Sequence, residues 1–234
     1  MTALPLLLAL AQGATFPVPK VTAVVDLSGG RNQPATVVDE ATKKRLDDLA
    51  ATYRKVATEN YPLIIRALRM EGDPVSKNVE IVVTYAYKGV AATGGAGFGS
   101  RPDAAARISV SADYALAHPK DLGMIVHEMV HVVQAYPAYR PVWLVEGVAD
   151  WVRWFNWEPL AKRPKPNPEK ATARDSYQTT GAFLYWASNH YDLNLVPKLN
   201  RAFKENKYDE SLFKMYTGRT LDQLDAEWRT SLGR

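Results

Sequence analysis

Residues 121–136, which read DLGMIVHEMVHVVQAY, limit the possible folds of this chain more than any other segment. Apolar residues lie on every side of this segment, so a helix formed by it has to be buried. His127 and His131 are four residues apart and therefore share one helix face, with Glu128 beside them. Burying these three polar side chains is costly unless each has a partner. The HExxH spacing predicts that both histidines bind one metal ion and that Glu128 reaches a water molecule there. Two structural histidines beside a buried glutamate are the alternative.

The histidine and cysteine counts limit what such a metal site can contain. The chain has 234 residues, four histidines and no cysteine. Disulfide scaffolds, thiolate zinc fingers, iron–sulfur centres and cysteine nucleophiles are therefore excluded. A metal ion would be held by imidazole nitrogens and carboxylate oxygens, and Zn²⁺ with three such ligands keeps its fourth position for water. The formal net charge is +4, but the basic residues are spread along the chain, so nucleic-acid binding is not expected.

The third metal ligand is predicted on the next helix, over residues 142–156. Glu146 and Asp150 are four residues apart and share a face of this helix. We expect Glu146 to bind the metal and Asp150 to accept the free ring N–H of a ligand histidine, His127 in the first instance. Arg153 is expected to pair with Asp150. A row of charges on an exposed helix would show the same spacing, but the tryptophans of this segment favour a packed helix.

The rest of the sequence predicts an α+β protein, in which a small N-terminal mixed β-sheet with helices precedes a mainly helical part. Strands are predicted at 21–25, 79–85 and 107–111, where β-branched residues cluster. Loops are predicted in the glycine-rich segment 89–99 and the basic, proline-rich segment 158–175. Apolar spacing predicts helices at 38–59, from Pro62 to Met70, and at 121–135, 142–156, 176–190, 194–206, 209–216 and 221–232. We expect one domain over 15–234, with a sheet-containing part at about 20–135 and a helical part at about 136–234.

The N-terminal residues 1–14 resemble a secretory signal. An apolar run over 4–10 is followed by Ala9-Leu10-Ala11, a small-x-small pattern typical of a cleavage site. The run lacks a preceding basic residue, so an apolar segment packed on the domain is the alternative. No other stretch approaches 18 apolar residues, and we therefore expect no membrane span and a secreted or periplasmic protein.

The two helices together resemble the plant-type basic secretory protein family, HExxH zinc peptidases of the gluzincin, thermolysin-like kind. The resemblance is carried by HEMVHVVQAY and, after a short gap, by PVWLVEGVADWVRW, and it covers about residues 78–232. It implies a zincin-like metallopeptidase fold, with Zn²⁺ on His127, His131 and Glu146 and with Glu128 as general base. Tyr177 matches a tyrosine of the family and is the first candidate for donating a hydrogen bond to the oxyanion. Tyr185 and His190 are weaker candidates.

The function expected from these residues is that of a secreted zinc metallopeptidase acting on a peptide or protein substrate, and a monomer is favoured. The strand at 107–111 is expected to form the upper edge of the cleft, where Ser109, Val110 and Ser111 would bind an extended peptide. The loop from Gly94 to Gly99 would move over that peptide. A non-catalytic secreted binding or defence protein with a structural zinc is one alternative. A zinc amidase acting on cell-wall material is the other.

Overall fold

The computed structural model describes residues 18–29, 34–72, 78–95 and 105–233. Its sheet has four strands in the order β1-β2-β4-β3. The strands β1 (Lys20–Asp26), β2 (Asn78–Thr84) and β4 (Ala106–Ser111) are parallel to one another, whereas β3 (Ala91–Gly95) is antiparallel to β4. The predicted α+β class, with a small mixed sheet and a mostly helical remainder, is confirmed. The signal-like segment 1–14 lies outside the described residues.

Part of the predicted glycine-rich loop is a strand. Glycine is a weak strand former, yet β3 includes Gly94 and Gly95, since its pairing with β4 satisfies the backbone groups that a loop would leave to water. The remainder of the segment, 96–99, lies outside the described residues. The prediction of a loop over residues 91–95 is therefore wrong.

A single long helix, α1 (Glu40–Leu68), packs against the sheet. The prediction that a new helix starts at Pro62 is wrong, because α1 continues through this proline. Proline removes one backbone hydrogen bond inside a helix, but the helix is held there by Tyr61, Ile64 and Ile65, which are all fully buried in the core. Packing of the apolar face outweighs the local preference for a break.

The predicted motif helix is α3 (Gly123–Gln134), and every one of its residues is buried. It follows the short helix α2 (Ala112–Ala117) and lies between α1 and β3. The next helix, α4 (Val142–Asp150), stops short of the predicted end at 156. From Trp151 to Trp157 the chain continues as a π-helix, a wider winding that is often found at functional sites.

Helices complete the C-terminal half of the protein. A short 3₁₀ turn (Leu160–Lys162) is followed by α5 (Tyr177–His190), α6 (Leu195–Lys204), α7 (Ser211–Thr217) and α8 (Leu221–Ser231). One hydrophobic core contains residues of the sheet, of α1 and of these C-terminal helices. A single domain over 15–234 stays a prediction. Among the described residues, no helix combines the length and apolar character that crossing a membrane requires.

Candidate metal centre

Three buried donor atoms from two helices converge on one point. His127 and His131 lie one turn apart on α3, and Glu146 lies on α4. Glu146 Oε2 is 3.1 Å from His127 Nε2 and 3.4 Å from His131 Nε2, and the two Nε2 atoms are 3.1 Å apart. The structure thus brings together the three residues that the sequence predicted as metal ligands.

Asp150 fixes the ring of the first histidine. His127 Nδ1 lies 2.7 Å from Asp150 Oδ1, and both side chains are buried. An ionised carboxylate can only accept, so Nδ1 carries a proton and Nε2 is turned towards the other two donors. The neutral ring, which is the form that binds a metal, would offer its Nε2 lone pair there. Asp150 therefore lies where the sequence predicted it, on the far side of a ligand histidine.

Gln134 orients the ring of the second histidine, His131, as Asp150 orients that of His127. The sequence did not predict this role. Gln134 Oε1 lies 2.7 Å from His131 Nδ1, while its Nε2 donates to the carbonyl of Val145 at 3.1 Å. Because the amide nitrogen is committed to that carbonyl, Oε1 accepts the Nδ1 proton, and the neutral ring of His131 would offer its Nε2 lone pair to a metal. The sequence does contain an indication of this role, because Gln134 follows His131 by three residues and is a polar residue on a buried helix.

The donor set fits a tetrahedral metal ion. Zinc binds nitrogen and oxygen ligands at about 2.0–2.2 Å, which places neighbouring donors of a tetrahedral site about 3.3 Å apart. The three separations given above agree with that spacing. With both rings neutral, three lone pairs would face one another and would repel unless a positive charge lay between them, so this set of residues fits a bound cation.

The ionisation of the cluster indicates the same preference for positive charge. Burial disfavours a charged imidazole at His127, but its hydrogen bonds to Asp150 and Glu146 outweigh burial and raise the pKa of His127 to about 10. Burial would raise the pKa of Glu146, yet hydrogen bonds from His127 and His131 lower it to about 2. The carboxylates therefore stabilise a positive charge at the centre of the cluster.

Glu128 is held beside the cluster by a residue of the edge strand. Thr93 Oγ1 lies 2.7 Å from Glu128 Oε2 and donates to it. Glu128 is the buried neighbour of His127 on α3, so its carboxylate is fixed next to the metal ligands. Thr93 and Glu128 are 35 residues apart in the sequence, so no local sequence pattern could have predicted their contact.

Tyr177 lies at the mouth of the site. It is the first residue of α5, its ring is stacked on that of His127 with centroids 6.2 Å apart, and it is 54% exposed. Its φ of 45° and the φ of 71° at Ser176 are left-handed conformations that non-glycine residues rarely adopt. This turn points the first ring of α5 over the cluster.

The two weaker tyrosine and histidine candidates are elsewhere. Tyr185 stacks on Phe155 with centroids 4.9 Å apart, and His190 stacks on Trp186 at 4.7 Å. Neither lines the cleft that contains the metal ligands. Both side chains thus serve packing rather than the site.

A cleft of about 1080 Å³ opens above the three ligands. Aromatic side chains from five parts of the chain line it, including Tyr87, for which the sequence predicted no role. Arg153 also lines the cleft, but the predicted pair with Asp150 is wrong, because Arg153 binds Asp121 instead. The helix winding changes after Asp150, and the guanidinium then reaches the loop that precedes α3.

The predicted position of the strand 107–111 is also wrong. Strand β4 lies inside the sheet, between β2 and β3, so it has no free edge at which a peptide could pair. Val110 is fully buried, and the side chain of Ser111 accepts a hydrogen bond from the backbone of Tyr114 at the start of α2. The strand that borders the cleft is β3, whose residues the sequence predicts as a loop.

Comparison with known proteins agrees with the predicted family. The model of the BSP family, described as "Peptidase of plants and bacteria", matches residues 24–228. No curated protein and no solved structure gives a significant match. The matched region contains both helices that carry the cluster and the whole of the sheet except the first residues of β1. The chain therefore belongs to the basic secretory protein family, the peptidases of plants and bacteria.

Proposed function

We propose that this chain is a secreted zinc-dependent metallopeptidase with a zincin-like fold. The observation that carries the proposal is the triangle of donor atoms on His127, His131 and Glu146, whose spacing suits a tetrahedral ion. Structural zinc sites have four protein ligands and are closed, whereas this set offers three ligands beneath an open cleft. An open fourth position is typical of a catalytic site.

The residues around the centre can perform the proton transfers of peptide hydrolysis. Zinc bound at the three ligands would supply a Lewis acid that activates water near neutral pH. Glu128 would accept a proton from the attacking water and later pass it to the leaving amine. Burial and the nearby carboxylates raise the pKa of Tyr177, so its hydroxyl stays protonated at neutral pH and can donate to the developing oxyanion.

The edge strand β3 is the proposed binding surface for an extended substrate. It borders the cleft, and within the described residues no strand pairs with its outer edge. A peptide can add to such an edge as a further antiparallel strand. We propose this edge as the peptide-binding surface in place of Ser109, Val110 and Ser111, which the sequence predicted.

Secretion is part of the proposal. It is supported by the signal-like residues 1–14 and by membership of a family named for secretory proteins. A non-catalytic binding or defence protein and a cell-wall amidase would use the same metal ligands, so the reaction itself has to be measured.

Replacing Glu128 by Gln tests the proposed function. The amide cannot accept the water proton, so we expect peptide hydrolysis to fall by at least about 100-fold, while zinc content stays at the wild-type level. Hydrolysis would be measured with a broad peptide library, and zinc by elemental analysis. Glu71→Gln, an exposed position outside the cleft, is the matched control.

Three outcomes distinguish the candidate functions. Near-normal hydrolysis by Glu128→Gln would contradict the role given to Glu128. Zinc binding by the wild type without hydrolysis of any peptide would favour the non-catalytic protein. Cleavage of cell-wall amides in place of peptides would favour the amidase.

A further inference from the structure

We infer that Tyr87 is a specificity-determining residue, which limits how far a peptide substrate can pair with β3. This inference rests on the proposed peptidase function and deepens it. The substrates that it favours are peptides with a short chain on the C-terminal side of the residue that pairs with Thr93.

The hydrogen-bond pattern of the sheet shows which groups of β3 face outwards. The amide of Ser111 donates to the carbonyl of Val90, so these two residues form a hydrogen-bonded pair. In an antiparallel ladder such pairs alternate with non-bonded pairs. Ala91 and Thr93, which lie opposite Val110 and Ile108, are therefore in non-bonded pairs. Their N–H and C=O groups point away from β4, towards the free edge of β3.

One of these outward groups is already occupied. The hydroxyl of Tyr87 donates to the carbonyl of Ala91 at 3.1 Å. Burial and the charge of Glu128 raise the pKa of Tyr87, so the hydroxyl is protonated at neutral pH. Tyr87 thus takes the acceptor that the amide of an added strand would use, and its ring lies beside that part of the edge.

The position of Glu128 shows which end of the substrate Tyr87 obstructs. Thr93 Oγ1 contacts Glu128 Oε2, so a substrate residue that pairs with Thr93 lies next to the proposed general base. In an antiparallel complex the residue two places further towards the substrate C-terminus lies opposite Ala91. Tyr87 therefore lies beside the part of the substrate that follows the cleaved bond. There its hydroxyl competes with the substrate backbone for the carbonyl of Ala91, and a long C-terminal segment of the substrate cannot pair with the strand.

Gly89 allows Tyr87 to take this position. A Cβ atom added to Gly89 would lie 2.4 Å from Tyr87 Oη and 2.7 Å from its Cζ. A side chain at residue 89 would therefore push the tyrosine off the edge strand. Gly89→Ala displaces Tyr87 without changing it, which provides a test independent of Tyr87 substitutions.

The experiment uses zinc-loaded full-length protein and a series of blocked fluorogenic peptides. The peptides share one N-terminal half and carry C-terminal halves of increasing length. For each variant, kcat/KM of the longer peptides is divided by that of the shortest. We expect this ratio to rise about three- to tenfold in Tyr87→Ala and in Gly89→Ala, the range expected for one recovered hydrogen bond. Tyr87→Phe, which removes the hydroxyl alone, should give a smaller rise.

Controls separate this effect from misfolding and from failure of the proposed function. Tyr216→Phe, a tyrosine outside the cleft, should leave the ratio at its wild-type value, and melting temperature and zinc content are measured for every variant. Binding of the same peptides is also measured, by fluorescence anisotropy, with double variants in which each substitution is combined with Glu128→Gln. If peptides are cleaved but the dependence of kcat/KM on peptide length is the same in all variants, the role of Tyr87 is overturned and the proposed peptidase function is not. Absence of both cleavage and binding for every peptide would overturn this role together with the proposed peptidase function.

Discussion

Gln134 shows how one side chain can control two of the three proposed metal ligands. Its amide oxygen holds the imidazole of His131, and its amide nitrogen holds the backbone carbonyl of Val145, the residue before Glu146. The glutamine therefore ties the end of α3 to the middle of α4. Asp150 and Gln134 together hold the Nδ1 proton of each ring, so that both neutral rings would present Nε2 to a metal.

Replacing Gln134 by Met tests this role at the residue scale. Met has a similar size but neither accepts from His131 nor donates to Val145, so we expect zinc affinity to fall about 10- to 100-fold. Affinity would be measured by competition with a chromophoric chelator. In Gln134→Glu the acceptor for His131 remains while the donor to Val145 is lost. That variant should bind zinc more tightly than Gln134→Met and still melt below the wild type. Unchanged zinc affinity in Gln134→Met would contradict the proposed role.

At the scale of the elements, the close crossing of α4 and α5 positions both sides of the site. Glu146 and Asp150 lie on α4, and Tyr177 begins α5. A Cβ atom at Gly147 would lie only 2.1 Å from Thr180 Cγ2, so the two helices approach as closely as they do because residue 147 is glycine. The distance between Tyr177 and the ligands depends on this contact.

Gly147→Ala should therefore weaken the whole fold. We expect the free energy of unfolding in urea to fall by about 1–3 kcal/mol, the usual cost of overpacking a core. Thr180→Ser removes Cγ2 and keeps the hydroxyl that donates to the carbonyl of Ala173. In the double variant Gly147→Ala/Thr180→Ser, part of the lost stability should return. If Gly147→Ala unfolds at the wild-type urea concentration, the crossing is not as tight as described.

In the whole molecule, the proposed metal centre lies between the two parts of the chain. One pair of ligands lies on α3, which packs on α1 and β3, and the third lies on α4, which packs on α5. A bound ion would connect the sheet-containing part to the helical part. Binding to the folded state alone adds stability according to the ligand concentration and its affinity.

Removal of zinc should therefore lower the melting temperature of the full-length protein. At a free zinc concentration about 1,000 times the dissociation constant, linkage gives about 4 kcal/mol of added stability. The measurement is thermal unfolding followed by circular dichroism, with zinc and with a chelator in excess. His131→Ala is the control, since we expect its melting temperature to be insensitive to the chelator. Equal melting temperatures of the wild type under both conditions would argue against a metal at this centre.

The features that depend on local helical periodicity could be predicted from the sequence alone. The spacing of His127 and His131, and that of Glu146 and Asp150, places each pair on one helix face whatever the rest of the chain does. These patterns were also sufficient for recognising the family, which the match over residues 24–228 confirms. The α+β class followed in the same way from runs of β-branched residues and from apolar spacing.

The strand that borders the cleft and the residues that support the candidate ligands could be identified only from the folded structure. Strand order depends on pairings between distant segments, so the sequence could not show that β4 is internal and that β3 forms the rim. The contact of Thr93 with Glu128 spans 35 residues, and the bond from Gln134 to Val145 joins two helices. Pro62 and Arg153 show the same limit, because packing carries α1 through a proline and the change of winding after Asp150 redirects the guanidinium. Local preferences of about 1–3 kcal/mol are overruled when the burial of a whole helix face favours another arrangement.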